Sequence, residues 1–170
     1  MAAVIESNLT AYAMTNGRQE PLGKMVNELQ LSLPVSVTDF EAVGKMFKLE
    51  ILNGFEAGKG EIKFSGLNTP IKNMISNPTK VFELFLAVNV RTETAETMIG
   101  DPIRRVYQLL VNFTGDIPLI GSLAAQEQAE YDTEFKLRRC RTTDNDREIL
   151  YVDPYEDTYR VNGQNILEFI

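Results

Sequence analysis

The chain has 170 residues, 44% of them hydrophobic and 24% charged, with a net charge of −7 at neutral pH. These values suit one domain, residues 1–170, with a sizeable core, and they exclude a disordered chain. There is no histidine, which removes the commonest general base and metal ligand and excludes Ser-His-Asp and Cys-His arrangements.

Charge and cysteine content add further limits. Residues 1–85 carry a net charge of −1 and residues 86–170 a net charge of −6. An acidic surface repels phosphate, so tight nucleic-acid binding is not expected, although a surface past which DNA slides is compatible with it. The single cysteine, Cys140, excludes an internal disulfide framework and fits a reducing cytoplasm. No apolar run is long enough to span a bilayer, and Met1–Glu6 lacks the basic start and apolar core of a signal peptide.

Asn8 to Thr15 predicts a first strand ending at the turn pair Asn16-Gly17. Lys24 to Leu33 sets Leu29, Leu31 and Leu33 against Glu28, Gln30 and Ser32, the period of a half-buried strand that Pro34 stops. Residues 35–58 follow no single period. Phe40, Val43, Met46, Phe47, Leu49, Ile51 and Leu52 are apolar there, and Gly44, Gly54 and Gly58 interrupt them. This predicts a long arm or hairpin with partly apolar sides, a type of connection that often contacts a partner.

Gly60 to Gly66 reads as a short strand with Ile62 and Phe64 on one face. Thr69-Pro70 and Asn77-Pro78 each place a capping side chain before a proline, predicting two helix starts. The second is the stronger, because Val81, Phe82, Leu84, Phe85 and Val88 form a wide apolar face. It is expected to be the one substantial helix. Arg104 to Phe113 is apolar on both faces and predicts a central strand. Gly115 to Gln128 reads as a loop.

From Ala129 to about Thr142 the chain alternates. Tyr131, Thr133, Phe135 and Leu137 share one face. Glu130, Asp132, Glu134, Lys136 and Arg138 share the other. A turn at Asp144-Asn145-Asp146, a short strand Glu148 to Asp153 and a closing segment Tyr159 to Leu167 follow. Strands on both sides of one helix give a β-rich α+β class.

Candidate chemistry is sparse. Cys140 lies between Arg139 and Arg141, but on an alternating strand those neighbours point to the opposite face, so a structural thiol is expected. The acids Asp144, Asp146, Asp153, Glu156 and Asp157 miss the EF-hand spacing, since position six from Asp144 is Ile149 and position twelve is Tyr155. No phosphate-binding glycine motif occurs. No catalytic, cofactor-binding or metal-binding residue is therefore expected. The charged row Glu130, Asp132, Glu134, Lys136, Arg138 has two readings: an ordinary solvated face, or a face that lines a channel or pairs between subunits.

The chain resembles the tail tube protein family of contractile-tailed bacteriophages and phage-tail-like bacteriocins. The residues that carry the likeness are Asn8-Leu9 through Asn16-Gly17, Leu29-Gln30-Leu31-Ser32-Leu33-Pro34, Gly58 through Gly66, Glu130-Tyr131, Ile149-Leu150-Tyr151-Val152-Asp153 and Val161-Asn162-Gly163-Gln164-Asn165. Where the family usually has aspartate in the last motif, Asn165 stands here.

The resemblance implies two packed antiparallel sheets, a sandwich or partly open barrel, with one flanking helix and a long protruding hairpin. It implies hexameric rings that stack into a tube inside a contractile sheath, in a virion assembled in the host cytoplasm. Partners would be further copies of the chain, the sheath, tape-measure, baseplate and tail terminator proteins, and DNA passing without specific binding. By position, residues 35–58 would be the ring-stacking arm, with Phe40, Val43, Met46, Phe47, Leu49 and Ile51 as its apolar residues. Two alternatives stay open: a secretion-system tube ring or baseplate hub component, and a monomeric β-barrel that binds a small ligand.

Overall fold

A computed structural model describes residues 3–15, 17–40, 49–96 and 102–169. Strands dominate: β1 (Ala3–Thr15), β2 (Arg18–Pro21), β3 (Val26–Ser32), β4 (Val35–Phe40), β5 (Leu49–Phe55), β6 (Lys59–Ser65), β7 (Phe82–Glu93), β8 (Ile103–Asn112), β9 (Glu130–Asp144), β10 (Arg147–Asp153), β11 (Thr158–Val161) and β12 (Gln164–Asn165). One α-helix, α1 (Thr69–Ile75), lies between β6 and β7. The β-rich α+β class and the sandwich-like architecture hold, and the sheet does not close into a barrel.

Ten strands form one antiparallel sheet, ordered β12-β11-β10-β9-β8-β7-β1-β2, with β3 joined through β6 to β9. β9 is the organising strand. It pairs with β6 from Ser65↔Glu130 to Lys59↔Lys136, and with β8 and β10 over its second half. This places the apolar side of β3 across from β7–β10, so one sheet folds over and makes its own second layer. The core between the layers includes Ala13, Ile62, Phe64, Leu84, Leu109, Val111, Phe113 and Phe135. Burying each of the larger side chains stabilises the fold by about 1.5–3 kcal/mol.

Turn chemistry agrees with the sequence. Thr15 pairs with Arg18 across a two-residue turn containing Gly17. Asn145 and Asp146 both have positive φ and link Asp144 to Arg147; Asn162 and Gly163 do the same between Val161 and Gln164. Positive φ at both central residues gives the turn twist that matches paired strands.

The expected helix after Asn77-Pro78 is a strand instead. Asn77 makes only a local turn, its Oδ1 accepting from the Thr79 N–H at 3.1 Å. The residues that follow enter β7, which lies between β1 and β8. Apolar residues fall on both faces of this strand, Leu84 and Leu86 on the core side and Phe85, stacked on Tyr12 at 5.1 Å, on the other, so the run mimics a broad helical face. Its period of two survives in Leu84, Leu86 and Val90, which are buried. The helix forms at the first start, where Asn68 rather than Thr69 caps it by accepting from the Ile71 N–H at 3.1 Å.

Candidate assembly surface

Three surface features carry functional information: a hairpin, a charged face and an apolar groove with a neighbouring loop. Among the described residues β4 and β5 pair only with each other, as the expected hairpin, with Phe40 opposite Leu49 and Thr38 opposite Ile51. Val35, Val37 and Leu52 are exposed on it. Its base is tied down by a Phe55–Tyr159 ring stack at 4.7 Å and by the Glu56 N–H donating to the Pro34 carbonyl at 2.8 Å. Val43, Met46 and Phe47, named above as arm residues, lie outside the described residues.

The charged face is built by β3, β6 and β9. Glu130, Asp132, Glu134 and Lys136 are all exposed and alternate with buried Tyr131, Thr133, Phe135 and Leu137. Arg138 leaves the row. The β8–β9 register shifts there, Leu110 pairing with Arg139 and Val111 with Leu137, so Arg138 is the extra residue of a bulge. Its guanidinium lies 5.1 Å from the centre of the Tyr155 ring.

Register sets like charges opposite one another on this face. Lys59 is opposite Lys136 and Glu61 is opposite Glu134, while Lys63 is opposite Asp132 and also reaches Glu28 at 3.7 Å. Directly opposed like charges destabilise a sheet. The sequence shows these charges but not their opposition, because the β6–β9 pairing joins segments about seventy residues apart.

The groove lies between β3 and the β7–β10 layer and has a volume of about 650 Å³. Leu29, Leu31, Leu109, Cys140, Leu150 and Val152 line it. Burial raises the Cys140 thiol pKa, opposed by a hydrogen bond with Thr142, which leaves the thiol protonated and inert at neutral pH. Of the acids Asp144, Asp146, Asp153, Glu156 and Asp157, two are committed to internal bonds. Asp153 is buried and accepts from the Tyr155 and Glu156 N–H groups at 3.0 and 3.2 Å. Asp144 is held by Arg105 through two bonds of 2.8 and 3.1 Å. Among the described residues, no cluster of three or more His, Cys, Asp or Glu side chains is placed to hold a metal. No described helix is long and apolar enough to cross a membrane.

The loop following β8, expected only as a connection, is also an apolar surface. It displays Leu119, Ile120 and Leu123 at 78%, 73% and 68% exposure. The run Ile117-Pro118-Leu119-Ile120 was the available signal: apolar residues in a segment whose glycines and proline forbid regular structure.

The family model described as phage tail tube protein FII matches residues 7–170. No curated protein matches the chain. Among solved structures, a chain in the cryo-EM structure of the anti-feeding prophage baseplate, 6-fold symmetrised, is similar at a TM-score of 0.47 and 12% identity, over 79% of this chain and 91% of that one.

Proposed function

Because the chain belongs to the phage tail tube protein FII family, we propose that this structural tail protein forms hexameric rings that stack into the inner tube of a contractile tail. The observation that carries this is the extent of the family match, which runs from β1 through the hairpin to the closing segment. Unused backbone supports it. Among the described residues, Ala3 to Thr10 of β1 have a strand partner on one side only, and β3 pairs only with β6. Open edges of this length template pairing with another chain, and closure of a ring removes them.

In this reading the β4–β5 arm, with Phe40, Val43, Met46, Phe47, Leu49 and Ile51, reaches the next ring. Glu130, Asp132, Glu134 and Lys136 face the lumen or a neighbouring subunit, with Arg138 beside them at the bulge. The acidic excess of the second half lets phosphate slide rather than stick. The whole chain acts as one tail-tube domain, and sheath, tape-measure, baseplate and terminator proteins complete the tail. Negative-stain microscopy of the purified protein tests this, with and without a tail initiator. Stacked six-fold tubes are expected. A protein that stays monomeric at high concentration under both conditions would sink the proposal, and isolated rings that never stack would favour a hub role.

A further inference from the structure

We infer that the Leu119–Leu123 loop of one copy docks into the apolar groove of a second copy. This rests on the self-assembly proposed above and names one of its contacts. The loop is held in place rather than free to collapse. The Lys72 ammonium donates to the Leu119 carbonyl at 3.1 Å, and Ser122 and Glu130 exchange two backbone hydrogen bonds at 2.8 and 3.2 Å. Between these anchors Gly121 sits so close to the Glu130 carbonyl that a Cβ there would collide with it and press against the Tyr131 ring. Two fixed points on either side of Ile120 thus keep apolar side chains turned into water. Such an arrangement costs solvation in the monomer, and it gains affinity when a partner covers it, because little ordering remains to be done.

The groove supplies the matching surface. It is lined by Leu29, Leu31, Leu109 and Val152, and also by Leu9, which is 49% exposed. None of the loop's residues lines it, and the loop's anchors on α1 and the start of β9 keep it there, so a copy does not fill its own groove. A projecting element and a receiving element at different places on one chain make a heterologous contact, repeated from copy to copy. Charge does not oppose the contact: residues 117–123 carry no charged side chain, and the two acids that line the groove, Glu6 and Glu28, are already paired, with Arg105 at 2.6 Å and Lys63 at 3.7 Å.

The test is a photo-crosslinking side chain at position 119 in unlabelled protein, mixed with isotopically labelled protein lacking it, and mass mapping of the joined peptides. Joined peptides between the unlabelled loop and β3 or β8–β10 of the labelled chain are expected. Attachment outside the groove, or within the same chain only, overturns the inference. The doubly substituted Leu119→Asp, Ile120→Asp protein changes only exposed side chains and should fold as the parent does by circular dichroism. It should need roughly tenfold or more extra protein to assemble, since two aliphatic side chains are replaced and the burial of even one supplies that factor; assembly at the parent's concentration also overturns the inference. Tubes whose crosslinks map elsewhere reject this contact and leave the tube intact, whereas loop-to-groove pairs without tubes reject the tube and keep the contact.

Discussion

At the scale of single residues, Arg105 ties three strands together. It bonds Asp144 twice and Glu6 once, at 2.6 Å, joining β8 to β9 and to β1. The Arg105 hydrogen bonds hold the Asp144 carboxyl below its ordinary value, which is about 4. A lowered folded pKa stabilises fully above the unfolded value and is lost as pH falls through the folded one. Asp144→Asn should therefore lower stability at pH 7 by roughly 1–2 kcal/mol, given partial exposure. It should also lose less stability than the parent between pH 5 and pH 2. Urea unfolding at both ends of that range measures this, and an unchanged acid-side loss would count against the pair. Asn165 explains its own departure from the family pattern. Its Oδ1 accepts from the Tyr159 and Leu167 N–H groups, both at 3.2 Å, and an aspartate oxygen serves equally. Asn165→Asp should be nearly neutral in thermal melts, while Asn165→Ala should cost about 1 kcal/mol.

At the scale of elements, the hairpin is separable and the charged face is not. Among the described residues β4 and β5 share no ladder with the main sheet, so removing residues 39–49 should leave the melting transition near the parent's and abolish stacking. Normal tubes from that variant would show that another element stacks the rings. The opposed Glu61 and Glu134 are part of the β6–β9 ladder itself. Glu134→Gln relieves that repulsion and should stabilise the isolated subunit by a few tenths of a kcal/mol. If the face serves assembly, the same change weakens tube formation, so stability and assembly move in opposite directions; a loss of both would remove the repulsion argument. The exchange of helix for strand at β7 belongs to this scale too. The apolar residues of 82–90 were legible. Their partners, β1 and β8, were not, and the partners decide which period matters. The same gap concealed the start of β1, whose first half pairs, among the described residues, only with β7.

At the scale of the molecule, self-assembly selects the folded state, so the Tm should rise with protein concentration, each tenfold step adding up to about 1.4 kcal/mol per contact. Calorimetry over a hundredfold range checks this, and a constant Tm would argue for a monomer. Much of the architecture could be read from local pattern: the strands at 26–32, 59–65, 103–112 and 130–144 follow from period-two alternation, the two-residue turns from Gly and Asx at positions of positive φ, and the hairpin from apolar residues broken up by glycines without a single period. These signals are local, so the amino-acid order alone determined them, together with the absence of histidine chemistry and the motifs of the family. Pairing between distant segments is not local. The fold-back of β3 over β7–β10 that leaves a groove, the bulge that takes Arg138 out of its row, the opposition of Lys59 to Lys136 and the anchoring of an apolar loop in water were decided only by the tertiary structure. Each depends on which strand edge meets which, and hydrophobic pattern specifies a buried face without naming the neighbour that covers it.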